Sequence, residues 1–348
     1  MDPLGRVSIT PAILKAVAEI DEFKGRWEAL GKLAPERLSA LRRVATVESV
    51  GSSTRIEGVR LTDQEVERLL SGLEVRSFRS RDEQEVAGYS DVMEMIFGSH
   101  PEITLTVNHV RQLHGILLKH SDKDERHRGE FKKLPNSVEA FDEGGRSVGV
   151  IFETASPFDA PRLTADLVAW TRAALEHGDH HPLLVIGVFV VRFLAIHPFQ
   201  DGNGRLSRAL TTLLLLRAGY GYVPYCSLER IVEDNKDEYY KALRRAQATI
   251  DKGESRLAVW LSFFLSCLVK QKDVLLRKIE REKLMAPLAP LSEKLLGICR
   301  ETGRVTVRTA VAVTGANRNT IKDHLKQLAA AGHVVRRGSG RGTWYEPR

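Results

Sequence analysis

Within twelve residues, His197-Pro198-Phe199-Gln200-Asp201-Gly202-Asn203-Gly204-Arg205-Leu206-Ser207-Arg208, the chain gathers a base, a carboxylate, two glycines and two arginines. A strongly apolar stretch, Leu183–Ile196, precedes them, and helical spacing resumes over Leu206–Arg217. The Gly-Asn-Gly segment therefore belongs to a loop that feeds a helix N-terminus. Glycines there let backbone N–H groups approach a ligand closely, and the helix end adds a positive dipole. The combination is an anion cradle suited to a diphosphate. Arg205 and Arg208, three apart on the first turn, share a side and can grip further phosphate oxygens. Asp201 beside the cradle suits Mg²⁺ bridging two phosphates, and His197 is placed to take a proton from an incoming hydroxyl. Phe199, apolar within a polar loop, reads as a plug that fixes the loop to the core. Taken singly, each residue has an ordinary reading: a structural histidine, a plain turn, a solvated basic face. Six matched residues in one short run argue for chemistry.

Two further groups are candidates. In Ser52-Ser53-Thr54-Arg55-Ile56-Glu57-Gly58, Ser53 and Glu57 stand four apart, on one face if the segment is helical, and Gly58 suits a helix stop. In Tyr239-Tyr240-x-x-Leu243, with Gln247 further along, the residues form either a core stripe or a lining for a flat ring.

The elements that must position these residues read as helix after helix. Apolar residues recur at helical spacing in Pro11–Leu30 and Leu38–Val50, and Thr62-Asp63-Gln64-Glu65 is a capping-box signature. Asp82–Phe97, Thr106–His120, Arg162–Glu176 and Pro182–Ile196 continue the pattern, Pro182 suiting a first helical turn. Asp142-Glu143-Gly144-Gly145 signals a turn, so Asn136–Phe152 is expected to form a β-hairpin on an all-α body. Met285-Ala286-Pro287-Leu288-Ala289-Pro290 ends the long helix over Leu257–Leu284 and marks a domain boundary. Beyond it, Leu291–Arg300, Thr306–Thr314 and Asn317–Ala330 read as three short helices, followed by a hairpin around Gly338-Ser339-Gly340-Arg341-Gly342. The expected organisation is a helical region over 1–100, a core over 101–285 and an α+β tail over 286–348.

Charge follows the same division. The whole chain of 348 residues carries a formal +7. The segment Pro287–Arg348 holds 11 Lys/Arg against 4 Asp/Glu, so all of the excess sits there. A basic module on a neutral body suggests a polyanion partner. The three cysteines (Cys226, Cys267, Cys299) are isolated and form no disulfide framework. No run reaches the roughly 20 apolar residues of a membrane span, and Met1–Arg6 is not followed by a hydrophobic signal core. These features point to a cytoplasmic protein.

The catalytic-type stretch resembles the Fic family, matching every fixed position of its motif H-x-F-x-[D/E]-G-N-G-R-x-x-R. The resemblance implies an all-α Fic helical bundle with a β-hairpin flap. It makes His197 the base, Asp201 the Mg²⁺ holder, Gly202, Asn203, Gly204 and Arg205 the ligands of the α- and β-phosphates, and Arg208 that of the γ-phosphate of ATP. It implies AMP transfer from ATP to a Ser, Thr or Tyr hydroxyl of a target protein; Gly204, where kinase-like Doc relatives carry Lys, favours that over phosphate transfer. The helix bearing Tyr239, Tyr240 and Gln247 lines the adenine pocket in the family, although related chains often carry Asn in place of Gln247. The hairpin would pair with the target's backbone through Asn136, Ser137, Val138 and Glu139. Ser53 and Glu57 match the family's inhibitory motif [S/T]-x-x-x-E-[G/N], which implies that Glu57 reaches Arg208 and takes the γ-phosphate's place. In some relatives the same glutamate supports AMP removal. The tail resembles a winged helix-turn-helix, with Asn317, Arg318, Asn319, Lys322 and Lys326 on a recognition helix and Arg336, Arg337 and Arg341 on the wing. DNA binding and protein docking both remain open for it, as does a homodimer. The rival to an autoinhibited enzyme is a DNA-binding, antitoxin-like regulator with an idle Fic body.

Overall fold

The computed structural model describes residues 2–5, 7–29, 35–72, 78, 80–141, 147–248, 256–284, 289–330 and 332–347. The chain divides into two compact units, Met1–Asp273 and Val274–Arg348. The boundary expected at Met285–Pro290 falls largely outside the described residues.

The first unit runs α1 (Pro11–Ala29), α2 (Pro35–Ile56), α3 (Asp63–Ser71), α4 (Arg81–Ser99), α5 (Val107–Leu117), β1 (Ser137–Phe141), β2 (Ser147–Glu153), α6 (Ala160–His177), α7 (Pro182–Ile196), α8 (Asn203–Arg217), α9 (Leu228–Asp234), α10 (Lys236–Gln247) and most of α11 (Leu257–Leu284). Its centre is α7 and α8, the two helices that flank the candidate loop. Helix α7 is apolar apart from Arg192 and buries Leu183 to Phe189 and beyond, as a helix largely surrounded by protein must. Helix α8 buries every residue from Leu206 to Leu216. Helices α2, α4 and α5 pack on α8, and α6 and α10 pack on α7. Close approach is built in at Gly88, where a Cβ would lie 1.9 Å from the Leu117 carbonyl of α5.

Local signals correspond to local structure. Thr62 and Glu65 cap α3 reciprocally, with Glu65 Oε2 accepting from the Thr62 amide at 2.8 Å. Strands β1 and β2 pair antiparallel, with register irregularities after Val138 and after Ala140. The side chains of Ser137, Val138 and Glu139, and the turn Asp142–Gly145, lie outside the described ones. Helix α2 extends well past the expected Val50, to Ile56, so Ser53 is helical and Glu57 stands one residue beyond the helix end. The reason is burial: Val50, Ser52, Ser53, Thr54 and Ile56 are all inside the protein despite their polar composition.

In the second unit, α12 (Pro290–Thr302), α13 (Val307–Thr314), α14 (Arg318–Ala330), β3 (Val334–Arg337) and β4 (Trp344–Pro347) enclose a core that includes Leu295, Cys299, Ile321, Leu325 and Tyr345. The strands pair antiparallel. Asn317, Arg318, Asn319, Lys322, Lys326, Arg336 and Arg337 are exposed, and the Arg341 side chain is not among the described ones.

Candidate active site

Helix α7 ends at His197, whose φ of 51° is the described residues' single positive φ outside glycine. A left-handed histidine is costly, and the turn it makes swings the imidazole away from the helix axis. Its Nδ1–H donates to the Leu194 carbonyl at 3.3 Å, which leaves Nε2 as the acceptor. Burial pushes the imidazole pKa down to about 4, and the nearby Lys132 charge adds to this against the pull of Glu57 and Asp201. His197 is therefore a neutral base at ordinary pH.

The loop after it is stapled from inside. Asn203 accepts from the Phe199 amide at 2.9 Å and donates to the Phe199 carbonyl at 2.7 Å. Phe199 is buried between Phe131 and His114, its ring 3.8 Å from the histidine's. His114 donates from Nε2 to the Asp201 carbonyl and accepts the Gly129 amide on Nδ1. Burial lowers its pKa to about 4, which suits this neutral tautomer. Gly202, at φ 77°, then caps α8.

A polar cavity of about 480 Å³ opens on this loop, lined among others by Glu57, Arg81, Glu85, Asn136, His197, Asp201, Gly204, Arg205, Tyr239, Tyr240 and Leu243. Its charges are paired. Arg205, 2% exposed, faces Glu85 at 3.0 Å and Asp201 at 3.3 Å. Asp201 Oδ2 meets Arg81 at 3.3 Å, and Oδ1 accepts the Gly202 amide. Burial opposes ionisation of Asp201, but Arg205, the Gly202 amide and Arg81 outweigh it and hold the carboxyl below its usual range. Arg208 donates to Ser53 Oγ and to the Ser53 carbonyl, each at 2.8 Å, and to Glu57 Oε1 at 2.7 Å. Burial disfavours its charge, yet Glu57 more than compensates, so its pKa stands above the ordinary range. A Cβ on Gly204 would lie 2.0 Å from Glu57 Oε1. That carboxylate therefore rests directly on the bare glycine and covers Arg208 from the cavity side.

The structure thus brings His197, Asp201, Gly202, Asn203, Gly204, Arg205, Tyr239, Tyr240 and Glu57 to one cavity, with Ser53 and Arg208 behind Glu57. Gln247 does not line it; that side chain is buried with neither amide atom hydrogen-bonded. The Asn203 amide is consumed within the loop, so its side chain shapes the cradle rather than reaching into it. Sequence reading missed Arg81, Glu85, His114 and Lys132. Lys132 is buried and donates to Asn136 Oδ1 at 2.8 Å, Thr154 Oγ1 at 2.7 Å and the Ile196 carbonyl at 3.2 Å. It ties both ends of the hairpin to the residue before His197. Its only sequence signal was its place four residues before Asn136.

Among the described residues no group of three or more His, Cys, Asp or Glu side chains forms a metal cage. The donor set fits Mg²⁺ in another way. Asp201 is an ionised carboxylate already partnered by two cations, beside an anion cradle, and Mg²⁺ commonly takes one or two carboxylates with phosphates and water.

Residues 104–215 match the Fic/DOC family. The chain carries a Fic domain. Residues 281–344 match a family described as a bacterial protein of unknown function, DUF977. The "Protein adenylyltransferase Fic" of Drosophila melanogaster is 30% identical over 263 residues, covering 74% of this chain and 48% of that protein. The chain thus spans about half the length of the curated relatives it matches. A crystal structure of a Fic family protein from Desulfovibrio desulfuricans superposes with TM-score 0.66 at 23% identity, over 99% of this chain and 98% of that one. A Fic domain containing signaling protein from Bacteroides thetaiotaomicron gives TM-score 0.60 at 25% identity, over 74% and 97%. These likenesses agree with the all-α bundle and its β-hairpin around the Fic domain's loop. No helix among the described residues is long and apolar enough to cross a membrane.

Proposed function

We propose that this protein is an autoinhibited, Mg-dependent protein adenylyltransferase, moving AMP from ATP to a Ser, Thr or Tyr hydroxyl of a target protein. The carrying observation is that an acceptor nitrogen, Nε2 of His197, shares one cavity with the glycine-bracketed start of α8 and with Asp201 and Arg205. In this reading the target hydroxyl gives its proton to Nε2 as its oxygen attacks the α-phosphorus. The bond from that phosphorus to the bridging oxygen breaks in line, and pyrophosphate leaves. Backbone N–H groups of Asn203 and Gly204, presented by the turn at Gly202, and the Arg205 guanidinium hold the α- and β-phosphates, so positioning and charge neutralisation carry most of the acceleration. Asp201 would hold Mg²⁺, whose charge would offset that of the phosphates. Tyr239, Tyr240 and Leu243 form the wall for the adenine, and β1 offers its edge from Asn136 onward to the target's backbone.

Glu57 is the brake. Its 2.7 Å bond to Arg208 occupies the guanidinium that the γ-phosphate needs, so ATP settles unproductively until the carboxylate leaves. Labelled ATP tests this directly. Glu57→Gly should raise AMP transfer, self-modification included, at least about tenfold, the worth of one charge-assisted hydrogen bond. Equal labelling by both proteins would rule out the brake. Incubating pre-labelled target with wild type asks whether the same site also removes AMP.

The second unit supports a further role. Its exposed basic residues on α14 and β3, together with all of the chain's net positive charge, favour reading it as a winged helix-turn-helix that binds DNA. Mobility shifts of the full chain on duplex DNA should weaken steeply with salt; no shift at low salt would leave protein docking as its role. The regulator with an idle Fic body is separated by the labelling assay above.

A further inference from the structure

Arg81 stands outside the matched Fic segment, on the first turn of α4, yet it lines the same cavity as His197 and Arg205. Its guanidinium makes two bonds of different character. Nε donates to Glu85 Oε1 at 2.7 Å, and Nη2 donates to Asp201 Oδ2 at 3.3 Å. Glu85 is nearly fully buried, with a side chain 8% exposed, while that of Arg81 is 54% exposed. The first bond is therefore a tether into the protein, and the head of the side chain faces the open cavity.

The two oxygens of Asp201 are already divided. Oδ1 is committed to the Gly202 amide and to Arg205 Nη2, both belonging to the loop and helix that carry it. Oδ2 has Arg81. A cation drawn to Asp201 would compete for Oδ2, and Arg81 would lose that bond but keep its hold on Glu85. The freed Nη groups then point at whatever anion accompanies the cation. Charge agrees with this geometry. Arg81 and Arg205 are balanced by Asp201 and Glu85, and a divalent cation would leave this corner with two net positive charges, complementary to a polyphosphate.

We propose that Arg81 is a third phosphate-binding arginine, a substrate ligand held on Asp201 until nucleotide arrives and then transferred to the α- or β-phosphate. The proposal rests on the nucleotide reading of the cavity given above. Because Glu85 braces Arg81 and Arg205 side by side, one buried carboxylate sets the spacing of two phosphate grips.

The test is calorimetric titration of the full-length wild type and of Arg81→Ala with ADP in saturating Mg²⁺, and with adenosine. ADP lacks the γ-phosphate, so Glu57 does not obstruct it. Arg81→Ala should weaken ADP binding about tenfold, as expected for one lost hydrogen bond to a charged group, and leave adenosine binding unchanged. Arg81→Lys should recover only part of the loss, because an ammonium cannot hold Glu85 and a phosphate through one planar fork. A loss of ADP affinity under threefold overturns the proposal. So does an equal loss for adenosine, which would mean that the pocket itself had been disturbed. If wild type binds neither ligand, the nucleotide reading falls first and this inference with it.

Discussion

The bare Cα of Gly204 can be tested without any substrate. A methyl placed there would sit 2.0 Å from Glu57 Oε1 and 2.8 Å from its Cδ, so Gly204→Ala must expel the carboxylate. Expulsion breaks the 2.7 Å pair with Arg208, whose side chain is only 8% exposed, against 30% for Glu57. Stranding a buried charge costs about 3–5 kcal/mol, whereas an exposed pair is worth about 0–1. Arg208 keeps both bonds to Ser53, and water can reach the vacated face, so a loss of about 1–2 kcal/mol is reasonable. Against it, alanine in place of a helical glycine gains about 0.5–1 kcal/mol. Gly204→Ala should therefore lower the melting temperature in wild type by up to about 6 °C at about 2–4 °C per kcal/mol. In a Glu57→Gly background the three atoms nearest that methyl are gone, and the same change should raise melting by about 1–4 °C. Differential scanning calorimetry of the four proteins reads the sign reversal. A shift of the same sign in both backgrounds would refute the seating of Glu57 on Gly204, and with it the geometry of the brake.

His197→Ala should abolish AMP transfer while nucleotide binding persists in titration; surviving transfer would point to a different base. Lys132→Met removes the buried cation that fastens both hairpin ends, so the Michaelis constant for a protein target should rise about tenfold or more, as for a lost charged hydrogen bond, with that for ATP little changed. The same substitution removes a charge that disfavours imidazolium, so the acidic limb of the pH–rate profile, near pH 4 in wild type from His197, should move to higher pH. Stability should fall as pH drops from 6.5 toward 4, because unfolded histidines bind protons there while buried His114 and partly buried His197 do not. For fully buried His114 the loss is on the order of 3 kcal/mol by pH 4, and denaturant midpoints across that range measure it.

The loop and its helices were legible because their signals are local. An apolar run, two glycines and a resumed helical spacing are dictated by neighbours in sequence, and α7 and α8 appear where the pattern put them. Ser53 and Glu57 were legible only through a motif, since their partner Arg208 lies 155 and 151 residues away. Arg81, Glu85 and Lys132 left no comparable trace. Each works through a long-range contact, to Asp201, Arg205, Thr154 or Ile196, that no spacing along the chain encodes. Gln247 shows the converse, a polar residue in the right helix whose side chain turns out of the cavity.

In the brake proposed above, effectiveness would come from the rigidity of the seat rather than from the strength of the ion pair. Glu57 is partly exposed, and a single carboxylate should lose Arg208 to a triphosphate of several charges if it had to find its place from solution. It does not have to. Helix α2 ends at Ile56, and the turn that follows is closed by Gly58, with φ 99°, and by the Val59 amide on the Thr54 carbonyl at 3.2 Å. Arg55, in that last helical turn, is gripped by Glu233 at 2.6 Å, Asp63 at 3.0 Å and the Leu61 carbonyl at 3.0 Å. The carboxylate is thus delivered to Gly204 with its ordering cost already met by the fold, which is how preorganisation turns a modest contact into effective competition. On this view any partner that loosens the end of α2, without touching the cavity, would release the enzyme as surely as removing Glu57.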